Sequence, residues 1–276
     1  MLKRILIPAA LLLLAAPAVA QEAAERPLDP NCPREGDNRP TGIAWLCNGQ
    51  LTRNYAFAFV YPAAAQRIPA LKEILAAQAE EDRARLAQEA AAFGDAPQPF
   101  SYDAEWRLDA VTPELAAASA AISTYSGGAH GGIEYRVILI DRREDRRIRL
   151  VDLFAPNLFE NSLFGRRIRG IRAVQDSFCR ALTAQIRARR EEPLAKITCP
   201  DIEEQPVTFL CGPRGRIEAM RAMLNPYVAG SWAEGSYEVD FPLDARMIGN
   251  MKRRYRVAFG PPGERRGRPR PCPVAL

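Results

Sequence analysis

The stretch from Ala121 to Phe154, AISTYSGGAHGGIEYRVILIDRREDRRIRLVDLF, constrains the fold more than any other part of the chain. Ile122 and Thr124, then Ile133, Tyr135, Val137 and Leu139, alternate with small or polar residues, the period of a half-buried strand. Between the two runs, Gly127, Gly128, Gly131 and Gly132 bracket Ala129 and His130, the protein's one histidine. Such a turn needs positive backbone dihedrals or close backbone approach, which glycine supplies without steric cost. The stretch therefore predicts strand, glycine-rich turn, strand, short turn, strand and a helical stub.

Its surroundings extend the pattern. Tyr102, Ala104, Trp106 and Leu108 alternate strictly, and Leu115–Thr124 leads straight into the hairpin. Tyr55–Val60 reads as a short buried strand. Ile68, Leu71, Leu75, Ala79, Leu86, Ala90 and Phe93 recur at helical spacing after Pro69 and before Gly94. Asp82 and its charged neighbours are assigned to the opposite, solvated face. A second helix is predicted over Asn161–Arg190, a third short one around Ile217, Met220, Leu224 and Tyr227, and late strands at Tyr237–Phe241 and Tyr255–Phe259. The expectation is an α+β fold: an antiparallel meandering sheet with long helices packed on one face, supported by disulfides. Its parts are a leader over residues 21–49, a strand–helix unit over 50–98, the main domain over 99–259 and a basic tail over 260–276.

Compartment follows from the start of the chain. Lys3 and Arg4 precede an apolar run from Ile5 to Ala16, and Ala18-Val19-Ala20 closes it: a cleavable secretory signal over residues 1–20. The run is short for a permanent membrane span, so a periplasmic or secreted protein, not an integral membrane one, is expected. Six cysteines in an exported chain then read as disulfides. Proximity suggests Cys32–Cys47, Cys199–Cys211 and Cys179–Cys272, with Cys179–Cys199 as the competing pair. The formal charge of +5 gathers on arginines of the second helix and of the tail. Behind a signal peptide this excess does not imply nucleic acid; a solvated face explains it.

Chemistry-bearing residues are few. His130 with Ser126 or Ser123 as nucleophile and Asp141 or Asp152 as orienting acid would make an envelope hydrolase, but no nucleophile-elbow motif is present. The other readings of His130 are a turn residue bonded to nearby backbone and a recognition loop on rigid strands. One histidine falls short of a catalytic zinc site. No nucleotide fingerprint occurs, so neither metal nor cofactor is expected. Tyr227, Trp232 and Tyr237, set among small residues, suit stacking on sugars or anchoring a protein partner.

The segment Thr124-Tyr125-Ser126-Gly127-Gly128-Ala129-His130, followed by a strand and by Leu150-Val151-Asp152-Leu153-Phe154, resembles the signature of the RsiV-type extracytoplasmic domain. That domain belongs to lysozyme-sensing anti-sigma factors and some peptidoglycan deacetylases. Tyr227–Val239 resembles its closing segment, and Tyr55–Tyr61 with the helix after it resembles the small domain that precedes it. The resemblance implies an exported binding or accessory protein whose partner is a lysozyme-like hydrolase or an envelope glycan. Tyr125, Ser126, Gly127, Gly128, His130, Trp232 and Tyr237 would supply the contacts. The chain differs from the anti-sigma members in having no sigma-binding region or transmembrane helix, so a free inhibitor or scavenger is expected.

Overall fold

The computed structural model describes residues 44–94, 98–154, 169–190, 198–212 and 215–260. The predicted signal peptide, most of the predicted leader, the first residues of the second predicted helix, the predicted tail after Gly260, Cys32 and Cys272 lie outside them. The fold is α+β, built on two sheets. The larger sheet takes its strands in sequence order: β1 (Trp45–Leu51), β2 (Tyr55–Pro62), β3 (Phe100–Val111), β4 (Leu115–Tyr125), β5 (Gly132–Asp141) and β6 (Arg146–Ile148). The smaller joins β7 (Val207–Cys211), β8 (Ile217–Leu224) and β9 (Tyr237–Pro242). Strand β1 begins inside the segment read as leader.

The larger sheet is not a pure meander, because β2 runs parallel to β3. Two parallel neighbours need a crossover, and α1 (Pro69–Phe93) provides it. Its buried positions are Leu71, Leu75, Ala79, Asp82, Leu86 and Ala90. Asp82 thus sits on the core stripe rather than the solvated face, since partners await it there. Tyr102 on β3 donates to its Oδ2 at 2.5 Å. Arg136 on β5 donates to the same oxygen at 2.7 Å, and Arg85 to Oδ1 at 2.7 Å. One carboxylate therefore pins α1 to two strands.

Strand β4, LAAASAAISTY, carries few residues of high strand propensity, yet six successive positions from Leu115 are buried. Both faces are covered, so alternation is lost. Ala116, Ala118, Ala120 and Ile122 pack beneath α1, while Leu115 and Ala117 join the core of α2 (Arg169–Arg189) and the smaller sheet. The helices therefore do not share one face of one sheet: α1 lies on the larger sheet and α2 on the smaller, where Phe178 meets Phe241 with ring centroids 5.9 Å apart. The remaining α-helices among the described residues, α3 (Ala245–Asn250) and α4 (Arg253–Arg256), are short.

Three further expectations are corrected. The third helix is strand β8: Ile217, Met220 and Leu224 have helical spacing, but β8 is the central strand of its sheet and is buried on both sides. The last strand is α4 and a turn, with Val257 exposed and Phe259 touching Ile217 through an isolated parallel bridge. Among the disulfides, Cys179 bonds Cys199, which excludes Cys199–Cys211 and Cys179–Cys272. Cys47 and Cys211 are also disulfide-bonded. The Cys179–Cys199 loop spans 20 residues of sequence and contributes about 3 kcal/mol by loop closure. Gln175 reinforces it, donating to the Pro200 carbonyl at 2.8 Å and accepting from the Ile202 amide at 2.7 Å.

Removing Asp82 leaves Arg136 and the Tyr102 hydroxyl short of a partner under α1. Asp82→Ala is expected to cost about 3 kcal/mol in urea unfolding. Arg85→Ala, which removes a half-exposed partner, should cost under about 1 kcal/mol. Similar losses from both variants would contradict this account of the pin.

Candidate functional site

Strands β4 and β5 form one long hairpin whose tip is residues 126–131. Gly127 adopts φ 85°, and a Cβ at Gly131 would stand 2.9 Å from the Thr124 carbonyl oxygen, so this tip requires glycine at both positions. Ser126, Gly127, Gly128 and His130 are exposed, and Tyr125 is half-buried. The His130 Nδ1 lies 2.9 Å from the Gly131 carbonyl oxygen. A carbonyl only accepts, so Nδ1 carries the proton and, in the neutral ring, Nε2 keeps its lone pair.

The second part of the site comes from the other sheet. After β8 the chain runs through Asn225-Pro226-Tyr227 to a short 3₁₀ turn, Trp232–Glu234, and into β9. Tyr227 holds φ 72°, a left-handed conformation costly for a ring-bearing residue, and its side chain is exposed. An outlier of this kind points to function. The Trp232 ring stacks on His130, centroids 4.3 Å apart and planes within 24°. Tyr227 lies 6.0 Å from Trp232. Loops from two sheets thus build one surface of three rings.

Glu234 holds the second loop in place. Its Oε1 accepts from the Ser231 amide at 3.0 Å, and its Oε2 from the Tyr237 hydroxyl at 2.7 Å. Arg190, just past the end of α2, donates to both oxygens at 2.8 Å. Tyr237 first, then the Ser231 amide and Arg190, pull the Glu234 carboxyl down to about 2. Arg189 donates to the Glu234 and Ser236 carbonyls, both at 3.2 Å. Its guanidinium also covers the Tyr237 ring at 4.1 Å. The hairpin grips the same loop from its own side: the Tyr135 amide donates to Asn225 Oδ1, and its hydroxyl meets Ser236 Oγ, each at 2.8 Å.

Of the residues expected to make contacts, the structure brings His130 and Trp232 together. Tyr237 is not on their surface: it is a core residue of β9, and Tyr227 occupies the exposed position instead. The catalytic arrangement does not assemble. Among the described residues neither Ser123 nor Ser126 hydrogen-bonds His130. Asp141 ends β5, about 30 Å along the strand from the hairpin tip. It is fully buried and accepts from the Tyr255 hydroxyl at 2.7 Å. Burial alone would raise its carboxyl, but Tyr255, the Glu144 and Arg143 amides and the Arg254 charge overcome that and lower it. Asp152 caps its own turn through the Arg149 amide at 2.9 Å. Among the described residues no three His, Cys, Asp or Glu side chains gather as metal ligands, and no helix is long and apolar enough to cross a membrane.

No family model matches the chain, and no curated protein does. Solved structures with a similar trace include two DUF3298 family proteins. One, from Pseudomonas aeruginosa PAO1, is 15% identical with a TM-score of 0.48 over 77% of this chain and 95% of its own. Another, from Bacteroides fragilis NCTC 9343, is 14% identical with a TM-score of 0.45 over 76% of this chain and 93% of its own.

A carboxylate held down this way adds stability above the ordinary carboxylate range and loses it as pH falls from about 4.5 towards about 2. The Trp232 loop should therefore keep its order at pH 4 and loosen below pH 3. Glu234→Gln should loosen it already at neutral pH and flatten the acid response, as followed by amide exchange at Trp232–Gly235. An acid response unchanged in Glu234→Gln would contradict the assignment.

Proposed function

We propose that this chain is an exported, non-enzymatic recognition protein of the cell envelope, and that the His130–Trp232–Tyr227 surface is where it binds. The observation that carries the reading is the stack of His130 on Trp232, which unites loops from separate sheets in front of a fixed scaffold. Paired aromatic faces present apolar area at low entropic cost, with polar edges to orient a ligand. Tyr227, exposed and held in a strained conformation, suits an anchor that enters a partner's pocket. The resemblance of the central hairpin to the RsiV-type domain supports a lysozyme-like hydrolase as the first partner to test, and peptidoglycan as the second.

The test is calorimetric titration of the oxidised protein with a c-type lysozyme and, separately, with soluble peptidoglycan fragments, at physiological salt so that nonspecific attraction is screened. Saturable binding is expected, weakened about tenfold or more, roughly 1.4 kcal/mol, by Trp232→Ala and by Tyr227→Ala. Glycan binding without lysozyme binding would identify the envelope polymer as the ligand. Absence of both, or variants that bind like the parent, would overturn the reading.

A further inference from the structure

The recognition surface exists only while the two sheets stay together, and one carboxylate is buried where they meet. Asp109 lies at a β-bulge in β3, between Leu108 and Ala110, and is 6% exposed. The extra residue of a bulge re-aims a side chain; Asp109 crosses to the smaller sheet, where Thr208 of β7 donates to its Oδ2 at 2.6 Å. The Ser119 hydroxyl of β4 faces the same cavity. Both groups are neutral hydroxyls. The two arginines that act on it electrostatically hydrogen-bond elsewhere: Arg107 with Glu105, Arg221 with Asp240 and Glu238. Beside Asp109 is a cavity of about 90 Å³, bounded among others by Ser119, Tyr135, Thr208, Arg221 and Glu238. It is polar and large enough for water.

We propose that Asp109 is a proton-operated latch between the sheets, closed when protonated, and that closing it favours the arrangement joining the His130 and Trp232 loops. A protonated carboxyl keeps the hydrogen bond from Thr208 and has no charge to bury. An ionised one draws water through the cavity and loosens the contact of β7 with β3 and β4. Tyr135 transmits the change: it lines the cavity and also holds Asn225 and Ser236 of the Trp232 loop. Burial pushes the Asp109 carboxyl up to about 6, against the pull of Ser119, Thr208, Arg107 and Arg221. Between 3.8 and about 6 the folded chain keeps a proton that the unfolded chain has released. The stabilisation is therefore full below that window and is lost as pH rises through it.

The binding consequence rests on the recognition reading; the latch does not, and its test needs no ligand. A carbon-13 NMR titration of the folded protein should show the Asp109 carboxyl changing state near pH 6. Amide exchange in β7, corrected for intrinsic rates, should show opening about tenfold or more rarer at pH 5 than at pH 7.5. Asp109→Asn should hold β7 closed at both pH values, and His130→Phe should keep the parent's pH response. A midpoint near 4, or an Asp109→Asn protein with the parent's pH response, would overturn the latch. If the latch holds and lysozyme or glycan affinity does not vary with pH in parallel, only its link to recognition falls.

Discussion

The candidate site depends on one carboxylate, Glu234. It gathers an amide of its own turn, a hydroxyl from β9 and a guanidinium from the end of α2. Three elements thereby meet at the Trp232 loop. A loop with a fixed course can place an indole against an imidazole on another hairpin; a mobile one cannot. The arginines of the second predicted helix, read from sequence as a solvated face, include the two that make this possible, Arg189 at the end of α2 and Arg190 just past it. Arg190 clamps the Trp232 loop through the Glu234 carboxylate, and Arg189 through the Glu234 and Ser236 carbonyls.

Buried carboxylates recur where elements join. Asp82 ties the crossover helix to β3 and β5, Asp109 lies between the sheets, and Asp141 locks the end of β5 against Tyr255 and Arg254. Their roles differ because their partners do. Asp82 and Asp141 face guanidinium groups and act as fixed pins. Among the described residues Asp109 is hydrogen-bonded by the Thr208 hydroxyl and by no guanidinium, so its charge is poorly compensated and its protonation state is open to control.

Much of the fold was legible. Pro69 and Gly94 bracket α1 as their backbone preferences require, and the central hairpin has the elements its alternation and glycines predict. What was not legible depends on partners distant in sequence. Ile217, Met220 and Leu224 satisfy a helical period, and only sheet neighbours on both sides make them a strand. Nothing local shows that β2 and β3 pair in parallel, or that Asp82 has Arg136 waiting in the core. At the site, His130 and Trp232 were visible as separate features because each lies in a loop rich in small residues. Their contact was not, because the loops belong to different sheets. The exchange of Tyr237 for Tyr227 was avoidable: Tyr237 alternates with Val239 and Phe241, and that pattern already places it inside.

His130 and Trp232 form one surface through their stacked rings, and binding at that surface is what we propose. Because the protein has a single histidine, the proton NMR signals of its imidazole report on the contact without ambiguity. Those signals should be displaced by the indole in the parent, move on Trp232→Leu substitution, and move again when lysozyme or a peptidoglycan fragment is added to saturation. Imidazole signals that ignore both the substitution and every added partner would contradict the account.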